Sequence, residues 1–213
     1  YKFILEGLFN TMIIALFAVI IGIIIGILVA LIRNNYDRNN KMKILNSIVK
    51  GYVDIIRGTP VVLQLMIIYY VIFKSVDVSV VLVGILTFGI NSGAYVSEII
   101  RSGIQSIPIG QTEAGYALGL KYNQVMKYIV LPQALKNVLP ALGNEFITLV
   151  KETSIGAYIG IIELTKASDI IASRTYDYFF PLILVAIIYL IITLGLSKGI
   201  QKLERKLNRV RSK

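Results

Sequence analysis

Glu113–Pro140 reads EAGYALGLKYNQVMKYIVLPQALKNVLP, and its polarity sets it apart from the apolar runs on either side. Ala114, Ala117 and Leu118 recur at helical spacing beside the small Gly115 and Gly119, which predicts a short amphipathic helix over 113–120. Lys121, Tyr122 and Asn123 break that pattern. A second helix is expected from about Gln124, interrupted by Pro132 and Pro140. The stretch is too polar to cross a bilayer by itself. It reads as the long connection of a chain that otherwise lives in one.

Composition supports that setting. The 213 residues are 56% hydrophobic with a mean hydropathy of +0.74, and the apolar runs reach spanning length. There is no cysteine and no histidine. That excludes disulfides, thiolate or imidazole metal sites, and Cys/His nucleophile arrangements. Net charge is +10, which in a membrane protein is first a topology signal. No nucleic-acid reading motif accompanies the basic residues, so no nucleic-acid partner is expected.

Five membrane helices are expected in one domain over 1–213, at about 8–33, 55–73, 79–104, 126–150 and 179–200, giving an all-α integral membrane fold. Gly22 and Gly26 form a GxxxG in the first, which suits either close helix contact or an unremarkable lipid face. A basic linker follows over 33–50. In Arg57-Gly58-Thr59-Pro60, Thr59 is expected as an N-cap and Pro60 as the first helical residue. Lys136, Asn137, Asn144 and Glu145 nearly hide the fourth span from hydropathy. A short helix is expected around 160–172 in the connection after it.

Charge then orients the chain. Linker one, the connection between the third and fourth spans (Arg101, Lys121 and Lys127) and the tail over 198–213 carry fifteen Lys and Arg, against five on the opposite side (Lys2, Lys74, Lys151, Lys166 and Arg174). The positive-inside rule places the N-terminus outside, the C-terminus inside and the Glu113 loop in the cytoplasm. No G-x-x-x-x-G-K-[ST] loop, triad or metal cluster occurs. The chain is therefore not expected to be an enzyme, and any ATP hydrolysis belongs to another chain.

At this point a family comes into view. Glu113-Ala114-Gly115, three residues, Gly119, nine residues, Ile129, one residue and Leu131-Pro132 resemble the EAA loop of ABC importer permeases, EAA-x3-G-x9-I-x-LP, with Gly115 as the one departure. Arg57-Gly58-Thr59-Pro60 with the following Val61–Leu65, and Lys151-Glu152-Thr153-Ser154, resemble signatures of the polar amino-acid subfamily, and the resemblance covers nearly the whole chain. It implies a type I importer permease fold in a prokaryotic cytoplasmic (inner) membrane. It also implies a coupling helix that docks in a cleft of a cytoplasmic ATP-binding subunit dimer, which binds the ATP and Mg, so that no cofactor belongs to this chain. The coupling residues would be Glu113, Ala114, Gly115, Ala117, Leu118, Gly119, Leu131 and Pro132. Glu113 would sit at the helix start, where the dipole favours a carboxylate, and Gly119 would end the helix in a left-handed turn. A second permease copy, identical or a sister chain, and an extracytoplasmic amino-acid-binding protein complete the implied assembly.

Ionisable groups at membrane depth usually face a cavity or a partner. Glu98 shares a helical face with Asn91 and Tyr95, while Glu145, Thr148 and Glu152 share another, and Glu163 follows in the outer connection. These seven residues are the candidate substrate site. Carboxylates in such a set suit a guanidinium or ammonium, so a basic amino acid (arginine, lysine or histidine) is the expected cargo. Glutamine, cystine or another zwitterion held through its amino group stays open, as does a gradient-driven secondary amino-acid transporter. Glu98 could instead pair with Arg101 at i,i+3, and Asp54 with Arg57 at an interface.

Overall fold

Two long helices approach each other more closely than ordinary side chains permit, and this seam sets the architecture. In the computed structural model, which describes residues 2–209, α1 spans Lys2–Asn39 and α4 spans Val80–Gln105. A Cβ added at Gly22 would lie 2.7 Å from Ser92 Oγ, and one at Gly26 would run into Val96. The relation is reciprocal, because Gly89 is filled by Ile21 and Gly93 by Ile25. Both helices therefore carry a G-x-x-x-G, each receiving side chains of the other. The Gly22–Gly26 pair is thus a packing seam and not a lipid face.

Between these helices lie α2 (Lys43–Gly58) and α3 (Val61–Ile67), the latter prolonged by a wide turn over Ile68–Ile72. They meet at 109°, so residues 55–73 are not the single straight span expected but straddle a bend. The basic linker is also mostly helical: only 40–42 separates α1 from α2, with Asn40 and Met42 at positive φ. Thr59 does not cap α3. Its hydroxyl donates back to Ile55 O, and Pro60, extended at φ −64° and ψ 132°, is the N-cap instead. Proline before a helix satisfies the start by geometry, since its missing N–H would be an orphan there.

After α4 come α5 (Ile109–Ala117), α6 (Tyr122–Val125) with a wide turn over Met126–Val130, and α7 (Leu131–Glu152). Pro140 does not end α7, which runs through it. A 3-10 segment over Thr153–Ile159 precedes α8 (Leu164–Thr175), and α9 covers Phe179–Arg209. The helix expected at 160–172 starts later because Gly160 is left-handed and Glu163 is the N-cap. Among the described residues, α1, α4 and α9 are long and apolar enough to cross a membrane, and α2 with α3 makes a fourth if the bent pair is one span. The helix expected as the fourth span, α7, is too polar to be counted among them. Of the tail cations, Arg211 and Lys213 lie outside the described residues.

The core occupies the end of the bundle remote from the loop, where Ile14, Ala18, Leu65, Phe88, Leu149 and Ile161 interlock. There Glu163 is fully buried, and its carboxylate accepts from Thr165 N (2.7 Å), Lys166 N (2.6 Å) and the Tyr189 hydroxyl (3.0 Å). Burial pushes this carboxyl above its usual range, while the backbone and Tyr189 donors pull it down. One side chain thus starts α8 and ties it to α9.

Two expectations follow for purified protein. Gly89→Leu should overpack the seam and cost about 1–3 kcal/mol, read as a lower thermal midpoint; an unchanged midpoint would contradict the seam. Glu163→Ala should cost about 2 kcal/mol by removing an N-cap and stranding the Tyr189 hydroxyl, whereas an exposed-site substitution such as Lys202→Ala should move the midpoint little.

Candidate functional site: a polar cavity and a docking loop

A cavity of about 420 Å³ lies on the loop side of the core, between the ends of α2, α4 and α7. Helical periodicity supplies its lining. Tyr95, Glu98, Ser102 and Ser106 recur on one face of α4, and Asn137, Ala141 and Glu145 recur every fourth residue on α7. Arg57 enters from the end of α2. Gly103 lets Val138 of α7 come close, which joins the two walls. Polar bonds stitch them as well: Asn137 Nδ2 donates to Ser106 Oγ (2.8 Å), and Ser92 Oγ donates to Glu145 Oε1 (2.8 Å).

Glu98 is held by three guanidinium groups. Arg33 of α1 bonds its Oε1, Arg101 meets Oε2 at 2.7 Å, and Arg57 stands 4.0 Å from Oε2. The i,i+3 pairing with Arg101 was legible in the sequence, but the partners from α1 and α2 were not. The expected Asp54–Arg57 pair is not formed; Arg57 turns toward Glu98 and stacks 5.5 Å from the Tyr95 ring. A carboxylate shared by three cations is held in place from three sides. Glu145, by contrast, has a hydroxyl as its partner and no cation within bonding distance among the described residues.

Of the seven residues expected around a substrate, Tyr95, Glu98 and Glu145 line this cavity. Asn91 is buried and donates to Gln64 Oε1 (2.9 Å), which braces the α2–α3 bend. Thr148 and Glu152 lie farther along α7, outside the lining. Glu163 is consumed as the cap described above, because the connection after Gly160 folds it inward. Arg33, Arg57, Ser102, Ser106 and Asn137 were not anticipated. The signal for Ser102 and Ser106 was present, as polar residues one helical turn apart in phase with Glu98.

The loop carries its own geometry. α5 begins at Ile109 with Pro108 as N-cap, four residues before the expected start. Glu113 is consequently mid-helix and exposed, not at the dipole's positive end. Gly119 does end the helix: its φ is +77°, its N–H bonds Tyr116 O (2.9 Å), and Leu120 N–H bonds Gly115 O (3.1 Å). This is a Schellman closure, which favours glycine at the left-handed position. Gly115 is buried, and the space of its missing Cβ is taken by Val125 and Ile129, so the departure from alanine has a packing reason. Ala114 and Ala117 are exposed with Leu118, which is 79% accessible, and with Ile109 and Tyr116. Ile109, Tyr116 and Leu118 thus form an exposed apolar patch on an otherwise polar loop. Leu131 and Pro132 open α7, the proline in its first turn, so the loop passes directly into a cavity wall.

The C-terminal end of α1 grips this loop. Asn34 Nδ2 donates to the Tyr122 hydroxyl (3.0 Å), and the Arg38 guanidinium lies 4.0 Å from the Tyr122 ring centroid.

Comparisons with known proteins agree with this arrangement. The profile of the binding-protein-dependent transport system inner membrane component family matches residues 22–209. The arginine transport system permease protein ArtQ of Bacillus subtilis is 41% identical over 207 residues, covering 96% of this chain and 92% of that one. The glutamine transport system permease protein GlnP of Escherichia coli K12 is 40% identical over 167 residues, covering 77% of this chain and 76% of that one. Among solved structures, an amino acid ABC transporter with histidines superposes with a TM-score of 0.90 at 40% identity, over 96% of this chain and 94% of its own. The MetNI methionine ABC transporter, at 21% identity and TM-score 0.75, shares the fold. Matched by the family's profile over most of its length and by relatives of about 40% identity, this chain belongs to the binding-protein-dependent transport system inner membrane components.

Proposed function

We propose that the chain forms, with a second permease, the pathway of an ATP-driven amino-acid importer whose cargo is a basic amino acid. The observation that carries the charge preference is Glu145, a carboxylate at the cavity wall whose partner is a serine hydroxyl and not a cation. At membrane depth such a group favours a ligand that brings the missing positive charge. Arg57 stands at the same cavity and suits the α-carboxylate of an amino acid. Glu98 is already matched by arginines of its own chain, so its part is to hold the wall and to orient Arg57. Relatives transport arginine in one case and glutamine in another. Glutamine is accordingly the second reading, with Glu145 accepting from its α-ammonium.

Alternating access needs force from outside, because the chain has no phosphate-binding loop. The exposed Leu118 patch on α5 suits a cleft in a cytoplasmic ATPase, and the continuity of loop and α7 suits transmission to the wall that carries Glu145. An extracytoplasmic amino-acid-binding protein would deliver the cargo to the opposite face. The core seals that end here and the cavity lies on the loop side, an arrangement that corresponds to an inward-facing state.

Competition for labelled arginine by lysine, histidine, glutamine and cystine in the reconstituted complex tests the cargo. Glu145→Gln should lower uptake of cationic amino acids about 10- to 100-fold, the worth of a hydrogen bond to a charged group, and change glutamine uptake by less than about threefold. Equal loss for both classes would remove the charge-recognition reading. Separately, Glu113→Lys should reduce co-purification of the ATPase while leaving membrane insertion intact; undiminished co-purification and coupling would overturn the assignment of α5.

A further inference from the structure

The polar cavity occupies one side of the α4–α7 pair, and an apolar groove of about 410 Å³ occupies the other. Its walls are Ile27 and Leu31 of α1, Ile100 and Ile104 of α4, and Leu135 and Leu142 of α7. At its loop end the lining changes character, to Asn34 and Tyr122, whose side chains bond each other at 3.0 Å. Arg38 lies across the Tyr122 ring and is exposed. Leu31 and Leu135 are 58% and 51% accessible, so the groove is open along its flank and not sealed in the bundle.

We infer that this groove is a binding site for an anionic phospholipid of the cytoplasmic leaflet. One acyl chain lies between α1 and α7, and the phosphate meets Arg38 with Asn34 and the Tyr122 hydroxyl beside it. Three observations converge on this occupant. The groove lies at membrane depth, where the surrounding solvent is acyl chain and an apolar channel open to it fills with one. Its polar end adjoins the cytoplasmic loop, at the level of the headgroups of that leaflet. The end group is a cation, and the inner leaflet supplies the matching anion at a worth of about 1 kcal/mol per Lys or Arg. Because Arg38 and Tyr122 also join α1 to the loop, the lipid would rest on the joint that links the docking helix to the bundle. The site is separate from the cargo cavity and does not depend on which amino acid is carried.

The chain has no tryptophan, which makes the test direct. A tryptophan is placed at Leu135 in the assembled importer, and quenching by brominated-chain phosphatidylglycerol and phosphatidylcholine is compared, with the complex lacking the substitution as background. Leu135→Trp should prefer phosphatidylglycerol about fivefold, the factor that corresponds to one surface cation. Leu194→Trp, on the exposed face of α9, should show no preference. Arg38→Glu added to Leu135→Trp should bring the preference below about twofold. Ile27→Trp gives the same readout from the α1 wall should Leu135→Trp fail to assemble. Equal quenching by both lipids at Leu135 and Ile27 would reduce the groove to ordinary lipid contact and overturn the proposal. Absent quenching, with disulfide capture between Leu135→Cys copies, would overturn it in favour of a second permease copy.

Discussion

Backbone proximity between α1 and α4 is the constraint on which the rest depends. Four glycines remove the side chains that would hold the two helix axes apart, and dispersion between Ile21, Ile25, Ser92 and Val96 fills the space. In a bilayer, where burying an apolar group gains little over leaving it in lipid, such fit is the main source of helix association. The seam also fixes register. It brings Arg33, two turns beyond Gly26, level with Glu98, so a cation from the first helix neutralises a carboxylate in the fourth. Without that alignment Glu98 would share its charge with Arg101 and the more distant Arg57 alone.

The Glu98 cluster illustrates how ion groups organise membrane proteins. An isolated carboxylate at that depth is costly, and each arginine that reaches it arrives from a different helix or turn. The cluster therefore acts as a fixed point from which Tyr95, Ser102 and Ser106 are presented to the cavity. Glu145 on the facing wall has no such retinue. Across the same cavity, a carboxylate surrounded by cations thus faces one whose partner is a hydroxyl.

Much of this was legible in the residues. The spacing from Glu113 to Pro132 identified the loop, Gly119 announced its left-handed stop, and the apolar runs marked the long helices α1, α4 and α9, while α2 lay hidden in what read as a basic linker. Some signals were local but ambiguous, and others depended on distant chain. Thr59 looked like a cap for the helix after it, but its hydroxyl bonds back to Ile55 O in the last turn of the helix before it. Glu113 looked like a first-turn residue because it opens the motif, whereas the helix itself starts earlier, after Pro108. Glu163 looked like a pocket group, and only its three donors reveal a cap. Arg33 belonged by composition to a basic linker, and its meeting with Glu98 spans 65 positions of sequence. Hydropathy grades depth in the membrane but carries no information about azimuth around a helix once several faces are polar.

The elbow between α2 and α3 has a mechanical consequence. The Gln64 amide donates to Ile56 O (2.8 Å), Thr59 O (3.1 Å) and Thr59 Oγ1 (2.9 Å), and accepts from Asn91 of α4 (2.9 Å). A single side chain thus rivets both arms of the elbow to the long central helix. Parting them would strand several polar groups in apolar surroundings at once. The elbow is a bracket and not a hinge, and Arg57 at its corner is carried as part of a stationary jaw. The opposite jaw, α7, runs unbroken from the loop and, among the described residues, is tied to α4 by the Asn137–Ser106 and Ser92–Glu145 bonds. The two sides of one cavity thus hang on the same central helix by different means: a four-bond rivet at the elbow on one side, two separate side-chain bonds on the other.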